Sequence, residues 1–222
     1  MKKLIIFPAI AISALLMADG EFNPPSRHGV FIGVEASHFP AQTYNVFHEM
    51  KSGSSMPGIH FGYLYEGPTG MCWKAAGRYH TDFGARHSSQ FHLEAKYRFT
   101  ADVFTIAPMF GLKSDIVSLC KDGDWKGQSA HGFIGLEVMK DLSESMTLGL
   151  EVKAKRTYSH NLVLEYSDVI HAVNMNKFNG IEIDLPLRIT LSKSQQLEMR
   201  PIYNYAKSQH KIGMQAHLIH WF

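Results

Sequence analysis

A histidine close to a serine is the first candidate for chemistry in this chain, because an imidazole base can activate a nearby hydroxyl as a nucleophile. His87 and Ser89 have this arrangement, with one serine between them. The segment resembles a tight hairpin loop, and no acid stands at a matching position to orient the imidazole. We therefore expect no catalytic role for the pair.

Histidines also raise the question of a metal site. Four of them, in or next to the predicted outer connections, could converge on an ion, but none has the paired spacing of a preformed site. We predict no metal site, no catalytic residue and no cofactor. The four histidines are His38, His48, His160 and His171.

The elements that carry these residues are strands, because apolar and polar residues alternate with a period of two. From 181 to 191 aliphatic residues occupy one face, while Glu182 and Asp184 lie on the other. The segments 146–155 and 91–99 alternate in the same way. A soluble sheet seldom needs a complete apolar face along about ten residues of nearly every strand. The pattern predicts an all-β, antiparallel, up-and-down transmembrane barrel.

The two ends of the chain agree with this fold. Residues 1–3 are Met-Lys-Lys and residues 4–17 are mostly apolar, which is typical of a signal peptide cleaved here after Ala18. The last strand, 212–222, alternates and ends on an aromatic residue. This ending resembles the C-terminal signal of bacterial outer-membrane β-barrel proteins, which implies insertion by the outer-membrane assembly machinery. The residues that carry the resemblance are Met214, Ala216, Leu218, His220 and Phe222.

The resemblance implies one outer-membrane barrel domain at 19–222, exported through the cleaved signal peptide 1–18. Outer-membrane barrels include lipid A deacylases, with a His-x-Ser arrangement and an acid, and omptin proteases, with an acid pair and an Asp-His pair. The segment 87–89 has the letters of the first arrangement. The omptin letters occur as His80 with Asp82 and Asp168 with His171, without that family's spacing. An outer-leaflet hydrolase is therefore one functional alternative, ranked after a structural role and a channel.

Composition limits the partners. The chain has 22 Lys and Arg against 20 Asp and Glu, and the signal peptide removes Lys2 and Lys3, so the mature protein is formally neutral. Without a basic cluster we expect no nucleic-acid partner. Cys72 and Cys120 fall near opposite ends of the predicted barrel, which predicts two free thiols rather than a disulfide.

Turn-forming residues between the alternating runs predict ten strands, with eight or twelve as alternatives. The predicted strands are 30–39, 57–65, 71–83, 89–99, 103–116, 129–139, 145–158, 177–191, 197–205 and 211–222. Short connections at 67–70, 100–103, 141–144 and 192–196 would face the periplasm. Longer ones at 40–56, 120–128 and 159–176 would face outward.

Turn positions also predict which residues meet across strands. Aromatic residues near the short turns would form a girdle at the lipid headgroups. Pro108, inside a strand, would be the weakest point of the sheet. The predicted pairs are Tyr63 with Trp73, Tyr65 with Met71, Phe99 with Phe104, Tyr97 with Ile106, and Arg78 with Glu94. The predicted girdle is Tyr63, Tyr65, Trp73, Tyr97, Phe99 and Phe104.

The polar faces of the strands collect charges of both signs. An isolated charge inside a narrow barrel is costly, so we expect these side chains to pair and close the lumen. This favours a structural or surface-interaction protein in contact with outer-membrane lipid and with a surface ligand at its outer loops. A narrow porin-like channel for small polar solutes is the alternative function, and a soluble periplasmic β-protein is the alternative fold. The predicted lumen charges are Glu35, Lys74, Arg78, Glu94, Lys96, Arg98, Glu137, Glu151, Lys153, Glu182, Asp184, Arg188, Glu198 and Arg200.

Overall fold

The fold consists of β-strands joined by turns. The computed structural model describes residues 26–39, 54–81, 86–119, 124–166, 169–174, 179–206 and 209–222. The predicted signal peptide, 1–18, lies outside the described residues. In the described part of the chain, no helix is long and apolar enough to cross a membrane. The strands are β1 (Arg27–Phe39), β2 (Ser54–Glu66), β3 (Met71–Thr81), β4 (Arg86–Tyr97), β5 (Phe99–Ala101), β6 (Phe104–Leu119), β7 (Asp124–Ser143), β8 (Met146–Tyr166), β9 (Val169–Asn174), β10 (Asn179–Asp184), β11 (Leu187–Thr190), β12 (Gln195–Ala206) and β13 (Gln209–Trp221).

The thirteen described segments form one antiparallel sheet that closes on itself where β1 pairs with β13. Two strands of the barrel are interrupted. β4 and β5 both pair with β6, and β9, β10 and β11 follow one another along β8. Counted in this way, the barrel has ten strands. The predicted fold class and strand number are confirmed.

The strands are staggered around the barrel. A path from one paired residue to the next starts at Tyr205 on β12, crosses every strand and returns to the same strand near Lys193. The offset between the start and the end of this path is the shear of the barrel, about twelve residues. Such a stagger tilts the strands and leaves an interior that side chains can fill. The turns at 67–70, 102–103, 144–145 and 191–194 lie at one end of the barrel, the short-turn end.

Alternation along each strand decides which side chains face outward. On β1, Val30 and Ile32 are 43% and 66% exposed, while Phe31 between them is only 5% exposed. On β6, Phe110 and Leu112 are each 60% exposed. A closed barrel with an apolar exterior and a polar interior reverses the arrangement of a soluble protein, and lipid is the medium that suits such an exterior.

Two glycines make room for aromatic rings inside the barrel. Gly62 stands opposite Phe31, and Gly111 stands opposite Phe133. A Cβ atom on Gly62 would lie 2.6 Å from the Phe31 ring, and one on Gly111 would lie 2.3 Å from the Phe133 ring. The rings therefore cover backbone that no side chain shields.

Prolines coincide with the interruptions of the strands. β4 ends and β5 begins opposite the part of β6 that contains Pro108. Because proline has no backbone N–H, the hydrogen-bond ladder has one donor fewer there, and the weakest point at Pro108 stays a prediction. Arg98, in the gap, keeps a hydrogen bond on its other side by donating its backbone N–H to the Gly70 carbonyl at 2.8 Å. Pro186 lies in the gap between β10 and β11.

The strands are longer at the end opposite the short turns than the sequence predicts. β6 and β7 pair as far as Leu119 and Trp125, so the connection predicted at 120–128 is shorter. β8 continues to Tyr166 and pairs with β9, so the loop predicted at 159–176 is wrong. Its polar residues suggest a loop, but backbone hydrogen bonds extend a hairpin without needing an apolar face.

The predicted cross-strand pairs are wrong, although the faces are correct. Each shift is an even number of residues, which keeps every side chain on its predicted side. One reason is the turn before β6, which lies at 102–103, with Asp102 in the left-handed region at φ 57°. The structure pairs Tyr65 with Trp73, Tyr63 with Ala75, Phe99 with Ile106, Ala101 with Phe104, Arg78 with Gln90, and Lys74 with Glu94.

Candidate functional site

The charged interior of the barrel is the candidate site. Residues two apart on a strand point the same way, so each inward-facing series delivers its charges to the lumen. The structure places all the predicted lumen charges inside the barrel. Glu35, Glu94, Glu137, Glu151, Lys153, Glu182, Asp184, Glu198 and Arg200 are buried, and Lys74, Arg78, Lys96, Arg98 and Arg188 are partly buried.

Lys153 on β8 is the centre of one group of charges. Its ammonium forms ion pairs with Glu151 on the same strand and with Glu182 and Asp184 on β10, the latter two at 3.4 Å each. It also lies 3.7 Å from Glu94 on β4. Strands β6 and β7 separate β4 from β8 in the sheet, so this contact crosses the lumen.

Two arginines form a second group. Arg200 on β12 lies 3.2 Å from Glu151 and 3.0 Å from Glu198. Arg188 on β11 lies 2.7 Å from Glu198 and 3.0 Å from Glu137 on β7. Glu137 also accepts a hydrogen bond from Lys96 at 2.8 Å. The network therefore connects five strands from one side of the barrel to the other.

A chain of polar contacts completes the interior on the side of β3, β2, β13 and β12. Arg78 donates its Nε–H to His60 Nε2 at 3.3 Å. Because that nitrogen accepts, His60 donates through Nδ1 to His217 Nε2, 2.6 Å away. His217 then directs its Nδ1 toward Glu198 at 3.5 Å. Both imidazoles are neutral in this arrangement, and each is fixed in one tautomer.

Glu35 and its neighbours add a further contact. Arg78 and His80 each lie 3.4 Å from a Glu35 carboxylate oxygen. Gln215 on β13 donates its amide N–H to Glu35 at 2.8 Å. Glu35 is 4% exposed, so the Gln215 hydrogen bond and the Arg78 ion pair replace water that a carboxylate would otherwise bind.

The predicted set of lumen charges omitted several residues that the structure places inside the barrel. Glu66 pairs with Arg98 near the short-turn end, and Asp115 lies 3.0 Å from His131 toward the other end. Each of these residues falls on an inward-facing position in the alternation of its strand, β2, β6 or β7, and this position is the signal that would have included them. Cys72 is a buried free thiol, as predicted, while Cys120 lies outside the described residues.

The residues predicted for assembly and for the girdle face outward. Met214 and Leu218 are each 43% exposed, and the rings of His220 and Phe222 lie 5.1 Å apart. Of the aromatic girdle, Tyr63, Trp73 and Phe104 are exposed, and Tyr65, Tyr97 and Phe99 are partly buried. Their roles in assembly and in lipid contact stay predictions.

The residues considered for catalysis contact groups other than those of a hydrolase site. His87 lies within β4 rather than in a loop, which corrects the prediction, and its Nδ1 lies 2.8 Å from the Tyr79 hydroxyl. His80 is buried beside Glu35, and Asp82 and Asp168 lie outside the described residues. Among the described residues, no group of three or more His, Cys, Asp or Glu could hold a metal ion. His48 lies outside the described residues.

Comparison with known proteins identifies the class of fold. No family model and no curated protein matches the chain. Among solved structures, the chain is similar to the outer membrane protease OmpT from Escherichia coli, with 10% identity and a TM-score of 0.54 over 90% of this chain and 97% of that one. It is also similar to the β domain of the Bordetella autotransporter BrkA, with 12% identity and a TM-score of 0.50 over 87% of this chain and 98% of that one. The chain therefore has the fold of the outer-membrane β-barrel class.

Proposed function

We propose that this protein is an integral outer-membrane barrel whose lumen is closed and whose role lies at its outer surface. The observation that supports this is the network of ion pairs inside the barrel. Side chains from strands that are not neighbours meet inside the barrel, as Lys153 on β8 and Glu94 on β4 do at 3.7 Å. Side chains that meet leave no continuous path of water between them, so passage of a solute would require pairs to separate.

The cost of separating these pairs supports a closed state. Leaving one partner of a buried ion pair without the other costs about 3–5 kcal/mol. Lys153 forms four ion pairs, and Arg200 pairs with three different carboxylates. An opening of the lumen would have to break several of these contacts together.

The β8–β9 hairpin supports a role at the surface. β12 ends at Ala206 and β13 begins at Gln209, near the level where β8 pairs with the first residue of β10 at Arg156. β8 continues from there to Tyr166, and a strand rises about 3.3 Å per residue. The hairpin therefore extends well beyond β12 and β13, together with β7, which pairs along it as far as Asp124. This extension offers a contact surface for a ligand outside the membrane.

The exterior supports lipid and the outer-membrane assembly machinery as further partners. Lipid would cover the apolar residues of the outer face, of which Ile32 and Phe110 are examples at 66% and 60% exposed. The machinery would bind the last strand through its outward residues Met214, Leu218 and Phe222.

Planar-bilayer conductance of the refolded protein tests the proposal. The matched variant is Glu137→Ala with Arg188→Ala, which removes one acid and one base and so keeps the net charge. Heat-modifiable gel mobility establishes that each barrel has folded. We expect the unmodified protein to be silent and the double variant to give discrete current steps. Discrete steps from the unmodified protein would contradict a closed lumen.

A narrow channel for small polar solutes is the second candidate. A cavity of about 50 Å³ lies at the short-turn end, bordered by Glu66, Lys74 and Arg98. This cavity supports a channel, because the side chains do not fill the lumen at that end. Steps from the unmodified protein, with an ion selectivity that changes in Lys74→Met, would move this candidate to first place.

A further inference from the structure

The cavity at the short-turn end has an unusual balance of charge. Its volume is about 50 Å³, and its lining includes five Lys or Arg side chains and three Glu side chains. Most of the basic groups have carboxylate partners: Lys96 pairs with Glu137, Arg188 with Glu137 and Glu198, and Arg200 with Glu198.

Lys74 is the exception. Among the described residues, no carboxylate lies within 4 Å of its ammonium nitrogen. Its nearest described partner is the Phe31 ring, 5.3 Å away. Glu94 stands opposite Lys74 on β4, but that carboxylate faces His92 at 3.3 Å and Lys153 at 3.7 Å. The ammonium therefore borders the cavity without a carboxylate in direct contact, and Glu94 and Glu198 act on it only at longer range.

Arg98 contributes a second unsatisfied donor to the same cavity. Its terminal nitrogen pairs with Glu66, whereas its buried Nε–H has no partner among the described residues. Buried donors without acceptors are rare, and each commonly marks a missing water or ion. The buried Arg98 Nε–H and the partly buried Lys74 ammonium, both cationic, border the same small space.

We propose that this cavity binds a small monovalent anion of halide size. The anion would accept hydrogen bonds from the Lys74 ammonium and from the Arg98 Nε–H, and the Phe31 ring would close one side. A volume of about 50 Å³ exceeds the roughly 10–15 Å³ that one water molecule needs on the same measure, so a halide ion has room there. The site goes beyond the proposed function, because it holds for a closed barrel and for a channel alike.

The test is thermal unfolding of the refolded full chain in detergent micelles, in sodium chloride, bromide or gluconate at one ionic strength. Gluconate is the control anion, because it carries the same charge as a halide and is much larger. We expect chloride and bromide to raise Tm saturably, by roughly 5–10 °C at a hundredfold excess over Kd. Lys74→Met should lose this dependence. Lys193→Met, which removes an exposed cation in the turn between β11 and β12, should keep it.

Two results would overturn the proposal: equal Tm values of the unmodified protein in all three salts, or an undiminished halide dependence in Lys74→Met. Should Lys74→Met fail to fold, crystals of the unmodified protein grown in bromide decide the question. An anomalous bromide peak in contact with Lys74 supports the site, and a cavity with water alone rejects it.

Discussion

Lys153 illustrates how a single residue allows acidic side chains to gather inside a barrel. Four carboxylates, Glu94, Glu151, Glu182 and Asp184, lie around one ammonium group. Each would be costly alone in this interior, and the cation offsets their mutual repulsion. Alternation in the sequence predicts that all five residues face the lumen, but their meeting depends on three strands, β4, β8 and β10, being brought together.

At the residue scale, Lys153→Met should destabilise the barrel by about 3–5 kcal/mol, because it leaves buried carboxylates without their shared partner. The measurement is urea unfolding of the protein refolded in lipid vesicles. Lys140→Met is the matched control: Lys140 is exposed, with its ammonium 5.7 Å from the Phe104 ring, and its loss should cost less than about 1 kcal/mol. Equal unfolding midpoints for the two variants would show that the network adds little stability.

At the scale of the element, β7 shows how one strand faces lipid on one side and the lumen on the other. Leu136 and Leu142 are exposed on its outer face at 45% and 54%, while Glu137 is fully buried on its inner face. The period of two is enough to separate these environments. The period of two does not predict the length of the strand, because backbone pairing with β6 and β8 extends it to Asp124.

The position of a residue along β7 gives a second prediction. Leu136→Arg, in the middle of the strand, should cost about 2–4 kcal/mol, because a charge there faces the centre of the bilayer. Leu142→Arg, close to the short turn, should cost about 0–1 kcal/mol, because it reaches the headgroups. Unfolding in vesicles measures both. A cost that does not depend on depth would argue against a membrane around this face.

At the scale of the whole molecule, the barrel has two different ends. The short-turn end holds the cavity and the chain terminus, and the opposite end holds the β8–β9 hairpin. Outer-membrane barrels place short turns in the periplasm and longer segments outside. The proposed surface role depends on this orientation.

Cysteine labelling in intact cells tests the orientation. In a background of Cys72→Ser and Cys120→Ser, Glu165→Cys in the β8–β9 hairpin should react with a membrane-impermeant maleimide. Ser145→Cys, in the turn between β7 and β8, should react only after the outer membrane is permeabilised. The reverse pattern would place the hairpin in the periplasm and remove the proposed contact surface.

The sequence by itself determined the ten strands, the closed antiparallel class and the face on which each charge lies. These follow from a local period of two, which any stretch of a strand carries within itself. Only the tertiary structure decided which residues meet. A shift of two residues leaves every face unchanged, so alternation cannot distinguish Tyr63 from Tyr65 as the partner of Trp73.

The pairing of charges in the candidate site also depends on which residues meet, and alternation does not specify this. The sequence placed Lys74 and Glu94 in the lumen, and closure of the barrel decided that Glu94 pairs with Lys153 from across the interior. Whether a buried charge finds a partner depends on the stagger of strands far apart in the sequence, and that stagger is a property of the closed sheet as a whole.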